Sequence, residues 1–175
     1  KRQELINEYL KVMDMIKIDY VEIGFRFLDK AKIKGPCAYS DEKFLRSLKI
    51  PENLKIGIMI NASDFVGQKN IIDLAKKNFK IKRDTVISLV RIACHHHEVK
   101  EVLPLANWLK EAGYKVGINI MQIPELSKQE ISGVVKEIKK SKADILYFAD
   151  SMGSLDGSQT KKIIYQIKSL WKKST

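Results

Sequence analysis

Cysteine is scarce in this sequence: Cys37 and Cys94 are its only two, with no CxxC and no zinc-like spacing. That excludes a disulfide-stapled scaffold or a zinc ribbon and fits two free thiols in a cytoplasmic chain, one in a loop and one at a strand end. Long apolar runs are missing too. None approaches the roughly 20 residues of a membrane helix, and the opening KRQELINEYL has no signal-peptide core, so no membrane partner is expected. The first residue is Lys1 rather than an initiator Met, which reads as processing or as part of a longer chain. Acidic residues are outnumbered, 21 against 32 Lys and Arg, giving a net charge of +11. A basic balance raises the question of nucleic acid. Here the lysines are spread over amphipathic segments, as at Lys69, Lys76, Lys77, Lys136, Lys139 and Lys140, with no aromatics interleaved for base stacking. They mark solvated helix faces, and no nucleic-acid partner is expected.

What is present is a globular chain of 175 residues, 45% hydrophobic, long enough for a core and short enough to suggest one domain over 1–175. Periodicity alternates between helix and strand. An amphipathic helix over Lys1–Ile18 (Leu5, Tyr9, Val12, Met13, Ile16) precedes a strand over Tyr20–Phe27. A short helix with Ser40 as N-cap leads to a second strand ending at Asn61, then a helix over Asp64–Asn78. Thr85–Cys94 is a third strand, His97–Ala112 a helix stopped by Gly113, and YKVGINIMQ a fourth strand. Ser127 opens a helix to Ser141, ADILYFAD is a fifth strand, and a last helix runs from Ser158 to the C-terminus. Strictly alternating units imply parallel strands with right-handed crossovers. The GxGxxG fingerprint of a dinucleotide site is absent, which weakens a Rossmann reading.

Alternation along each strand separates two faces. One is branched aliphatic throughout: Val21, Ile23, Phe25 and Phe27; Ile56, Ile58 and Ile60; Val90 and Ile92; Val116, Ile118 and Ile120. The other carries Glu22, Gly24 and Arg26; Gly57, Met59 and Asn61; Leu89, Arg91, Ala93 and His95; Gly117, Asn119 and Met121. A sheet covered on both faces reads as nearly all apolar. Polar residues on one consistent face, gathered toward the C-terminal strand ends, fit the interior of a (β/α)8 barrel better. The fold class is therefore α/β, a partial TIM barrel of about five parallel strands alternating with helices.

Glu22 serves either as an ion-pair partner of Arg26 or Arg91 or as a catalytic group, since an unpaired buried charge costs several kcal/mol or more. Arg91 is read as acting at or supporting a site. Consecutive histidines on a strand end cannot all face one metal, so no metal ligand is assigned to His95, His96 or His97, and parity points His95 into the mouth of the barrel. Asn119 and Gln122 either bind substrate or satisfy loop carbonyls. Trp108 and Trp171 are read as helix-packing residues.

Five segments in this order and spacing, VEIGFRF, GPCAYSDEKFLRSL, VRIACHHHE, WLKEAGYKVGINIMQI and YFADSMGSL, together resemble the DRE-TIM metallolyase superfamily, specifically the 4-hydroxy-2-oxovalerate aldolase type of HMG-CoA lyase-like (pyruvate carboxyltransferase-type) barrel. The resemblance implies a lyase acting on a 2-oxo acid through a pyruvate enolate, with a divalent metal, Mn2+ or Mg2+, as Lewis acid in the complete enzyme. The family holds that metal with an Asp on strand one and an HxH pair on strand seven, and places an Arg beside the Asp. None of those motifs occurs here. The chain then corresponds to strands two to six, with strands one, seven and eight and all metal ligands outside it, and is expected to be inactive alone. The resemblance makes Ser151 a substrate or enolate-oxygen contact and Asp150 the anchor of its turn or of the metal's surroundings. Candidate catalytic residues are thus Glu22, Arg91 and Ser151; candidate substrate-binding residues are Arg26, Asn61, His95, Asn119, Gln122 and Asp150. The alternatives are an acyl-CoA-condensing synthase of the same superfamily, or a non-catalytic barrel that binds a metabolite or partner. Two unpaired parallel edges would call for flanking strands, a covering partner or a homo-oligomer.

Overall fold

The structure is a computed structural model that describes residues 2–29 and 34–171. Lys1 and residues 172–175, placed in the terminal helices by sequence, lie outside the described residues. Five strands run β1 (Tyr20–Phe25), β2 (Lys55–Asn61), β3 (Ile87–Cys94), β4 (Lys115–Ile120) and β5 (Ile145–Phe148). They pair in parallel in the order β1-β2-β3-β4-β5. Six helices flank them: α1 (Arg2–Met15), α2 (Glu42–Ser47), α3 (Ile71–Asn78), α4 (Val99–Glu111), α5 (Lys128–Lys139) and α6 (Gly157–Leu170). Strand order equals chain order. Doubly wound sheets reverse direction at a switch point, whereas right-handed crossovers that always step the same way leave their helices on one face. Consecutive helices α3, α4, α5 and α6 accordingly pack on one another. The result is an open α/β sheet consistent with part of a barrel.

The aliphatic face predicted from alternation is the covered one. Ile56, Ile58, Ile60, Val90, Ile92, Val116, Ile118 and Ile120 are each 1% exposed or less. At about 25 cal/mol per Å2 of apolar surface removed from water, this layer is the main source of stability. Local signals set the boundaries. Ser127 and Glu130 form the capping box of α5, and Gly113 ends α4 at φ 96°, a conformation glycine tolerates. The N-cap of α2 is Asp41 rather than Ser40: Phe44 N–H donates to Asp41 Oδ1 at 2.8 Å, while Ser40 is buried with φ 39°. The helix before β3 is shorter than its periodicity suggests, because a 3-10 turn, Ala62–Asp64, intervenes and Asn70 starts α3.

Two patterns read differently in three dimensions. In α1 the buried contacts come from Leu10, with Ile6 and Met13 against the core, whereas Leu5, Tyr9, Val12 and Ile16 face outward. The helix carries two apolar faces, and the described residues cover one. In β1 the ladder slips by one residue between Glu22 and Phe25, so that Glu22 stands beside Gly57 but Phe25 beside Met59. Gly24 lies inside this bulge at φ 154°, and a Cβ there would come within 2.1 Å of the Cys37 carbonyl oxygen. One extra residue flips every side chain after it to the opposite face.

Candidate active site

That flip separates Arg26 from Glu22. Parity along the sequence put both on the inner face; the structure turns Arg26 among the helices, 6% exposed. There it donates to the Asn78 and Ser40 carbonyls and to Glu42 Oε1 at 3.1 Å, and it stacks over Phe79. Its Nε–H is buried without a partner among the described residues. Arg26 lines a cavity of about 210 Å3 with Glu42, Lys76 and Lys80, on the far side of the sheet from Glu22. It braces β1 against α2 and α3 rather than joining the inner face.

Glu22 pairs instead with Arg91, across the intervening β2. The contact is a fork: Arg91 Nε donates to Glu22 Oε2 at 2.7 Å and Nη2 to Oε1 at 2.5 Å. Two parallel charge-assisted bonds fix the guanidinium plane as well as its position. The hydrogen bond that Arg91 donates to Glu22 pushes its guanidinium further up from its ordinary value, so the cation is permanent. Both side chains keep about a quarter of their surface open, 26% and 29%. Solvent therefore screens the pair, and its net worth lies toward the lower end, about 1 kcal/mol.

The ladders place the neighbours. Arg91 stands level with Met59 on β2 and Gly117 on β4. One step toward the C-terminal ends of the strands, Asn61, Ala93, Asn119 and Tyr147 share the next level. Asn119 is 5% exposed. Below the pair, toward the opposite end, Tyr20 lies between the ammonium groups of Lys55 and Lys115, 5.2 and 5.1 Å from its ring centre. Four predicted residues, Glu22, Arg91, Asn61 and Asn119, thus meet on one face.

The others gather at the rim. His95 follows β3 and begins a 3-10 turn whose buried Glu98 accepts its N–H at 2.7 Å. Its ring stacks on His97, and with Gln122, Glu125 and Glu130 it lines a second cavity of about 210 Å3. Gln122 is left-handed at φ 53°, an unusual backbone for a side-chain-bearing residue. Its N–H points to Ser151 Oγ at 3.4 Å, which brings the loops after β4 and β5 together. Asp150 is the anchor of its turn. Leu155 N–H donates to its carboxylate at 2.8 Å and holds it below the usual carboxylate range.

Tyr147 was missed by the sequence reading, which did not separate the faces of the fifth strand. Its ring lies against Gly117, where a Cβ would stand 2.5 Å from Tyr147 Cε2, and Arg91 Cζ is 5.7 Å from the ring centre. A glycine inside β4, in register with a strand that carries a tyrosine, is the signal that finds it.

Among the described residues no group of three or more His, Cys, Asp or Glu gathers to hold a metal ion. The metal implied by the resemblance thus has no fitting donor set among them. No helix of the described residues is long and apolar enough to cross a membrane.

No protein family profile matches the chain, and no curated protein does. Among solved structures, it is similar to the N-terminal domain of a proposed aldolase from Bacteroides vulgatus, with TM-score 0.72 and 23% identity. The match covers 95% of this chain and 54% of that one, so the chain spans about half the neighbour's length. At that identity the likeness establishes the fold alone: an open α/β sheet consistent with part of a barrel.

Proposed function

We propose that this chain is the strand-two-to-six portion of an aldolase, a carbon–carbon lyase acting on a 2-oxo acid, whose substrate lies on the concave face of the sheet. The observation that carries the reading is the Glu22–Arg91 fork, held half-open at mid-height on a face that also presents Asn61 and Asn119. Arginine is suited to a planar carboxylate, and its fixed charge favours the enolate oxygen that develops when the bond beyond the oxo group breaks. Cleavage of a 4-hydroxy-2-oxo acid passes the C4 hydroxyl proton to water, turns C4 into the carbonyl of a released aldehyde as the C3–C4 bond breaks, and leaves the electron pair on the enolate. In this reading Glu22 orients Arg91, and Asn61 and Asn119 donate to substrate oxygens. Ser151 and Gln122 border the entrance with His95. The DRE-TIM resemblance and the aldolase name of the structural neighbour support the class. Dependence on Mn2+ or Mg2+ belongs to the same proposal, with ligands supplied by residues other than those described.

Manganese-dependent deuterium exchange at the methyl group of pyruvate, measured on the full natural gene product, tests this reading. Exchange at a rate above the metal-only control is the expected result. Absence of exchange in a protein that demonstrably binds manganese would overturn it in favour of acyl-CoA condensation or a non-catalytic barrel.

A further inference from the structure

The concave face holds more hydrogen-bonding capacity than it uses. Glu22 occupies the Nε and Nη2 edge of Arg91 and leaves Nη1 without a partner among the described residues. One level above, neither the Asn61 nor the Asn119 amide has an intramolecular partner among the described residues, and neither does the Tyr147 hydroxyl; none of them is a buried orphan, so each is open to solvent. The contrast with Tyr114 is direct. That tyrosine, 1% exposed, gives its hydroxyl to the Lys80 carbonyl, as an interior tyrosine should. Tyr147 is half-buried, its ring packs into the space that Gly117 leaves open with Arg91 Cζ 5.7 Å from the ring centre, and its hydroxyl has no partner among the described residues. Unpaired donors that converge from neighbouring strands describe a ligand cradle.

We propose that Tyr147 is a ligand-contacting residue of this site, donating its phenolic proton in a hydrogen bond to the oxo oxygen of a small 2-oxo acid whose carboxylate lies on the Nη1 edge of Arg91. The assignment rests on the proposed function for the ligand's chemistry, and it adds a residue and a role. Burial first, with Glu22 and Tyr20 adding to it against the opposing pull of Arg91, holds the phenol above its ordinary pKa, so it is a donor throughout the neutral range. Gly117 acts through Tyr147: a larger residue there would drive the ring off its position.

The test uses the full natural gene product labelled with 13C at tyrosine Cζ, with the Tyr147 signal identified by its loss in Tyr147→Phe. This variant keeps the ring against Gly117, and an unchanged melting temperature shows that it folds. Pyruvate is the probe, and acetate is the control that lacks the oxo group. The expected result is a shift of the Tyr147 signal with pyruvate, little with acetate, and pyruvate affinity about ten-fold weaker in Tyr147→Phe, the size of one hydrogen bond to a charged or strongly polar ligand. A Tyr147 signal indifferent to pyruvate, or equal affinity in the variant, overturns the assignment. Methyl exchange reads the other claim separately. Exchange without the shift removes Tyr147 and leaves the aldolase reading; the shift without exchange does the reverse; neither removes both.

Discussion

The two faces of the sheet are built from the same strands, residue by residue in alternation, yet they obey different rules. On the convex, helix-covered face Ile56, Ile58, Ile60, Val90, Ile92, Val116, Ile118 and Ile120 of the three middle strands are each at 1% exposure or less. On the concave face the same strands carry an ion pair and, among the described residues, two amides and a tyrosine hydroxyl without protein partners. The first face satisfies packing and nothing else. The second leaves hydrogen-bonding groups without protein partners among the described residues but open to water, and so available to a ligand. Stability and chemistry are thereby separated by a single step along the chain.

Adjacent residues of β4 give the largest expected contrast. Ile118→Ala removes a fully buried side chain and should cost about 2–5 kcal/mol. Asn119→Ala, one residue on, removes an amide without a partner and should cost under about 1 kcal/mol while weakening ligand binding. Chemical denaturation of both variants, with midpoints and slopes compared, measures the difference. Equal losses would erase the distinction between the faces.

A smaller effect is expected at Gly117, the position where the concave face is tightest. Gly117→Ala places a methyl 2.5 Å from the Tyr147 ring and should destabilise by about 1–3 kcal/mol, because the ring must move. The same substitution in a Tyr147→Ala background should cost little, since its obstacle is gone. A double-mutant cycle reports the coupling. A penalty that persists without the tyrosine would assign the strain to the backbone instead.

Much of this was legible in the sequence. The aliphatic repeats of β2, β3 and β4 gave their faces correctly, and the alternating elements gave the parallel sheet. Glu22, Arg91, Asn61 and Asn119 meet as alternation predicts. Arg26 does not, because period-two counting assumes an unbroken ladder, and the bulge around Gly24 breaks it between Glu22 and Phe25. An isolated glycine inside a strand pattern was the warning. In α1, counting found one apolar stripe where the helix has two, and a sequence cannot say which of two stripes its neighbours will cover. Tyr147 required knowledge of strand register, which lies between segments and not within one. The link from Gln122 to Ser151 depends on a left-handed residue that carries no composition signal.

The smallest effect belongs to the rim, where a pH dependence marks the turn after β5. Asp150 accepts the Leu155 N–H as a carboxylate, and its pKa in the folded chain lies below that of a free aspartate. A carboxyl depressed on folding contributes stability at pH values above its unfolded pKa, about 3.9, and loses that contribution as pH falls through the folded value. Asp150→Asn keeps an acceptor oxygen and the shape of the turn but removes the charge. The variant should melt slightly below the wild type at pH 7, and the gap should close as pH drops below the ordinary aspartate range. Melting temperatures of the two proteins at pH 7, 5 and 3 provide the check. A gap that stays constant across that range would mean that the turn depends on the oxygen alone, and that the rim, like the convex face, is held by shape rather than by charge.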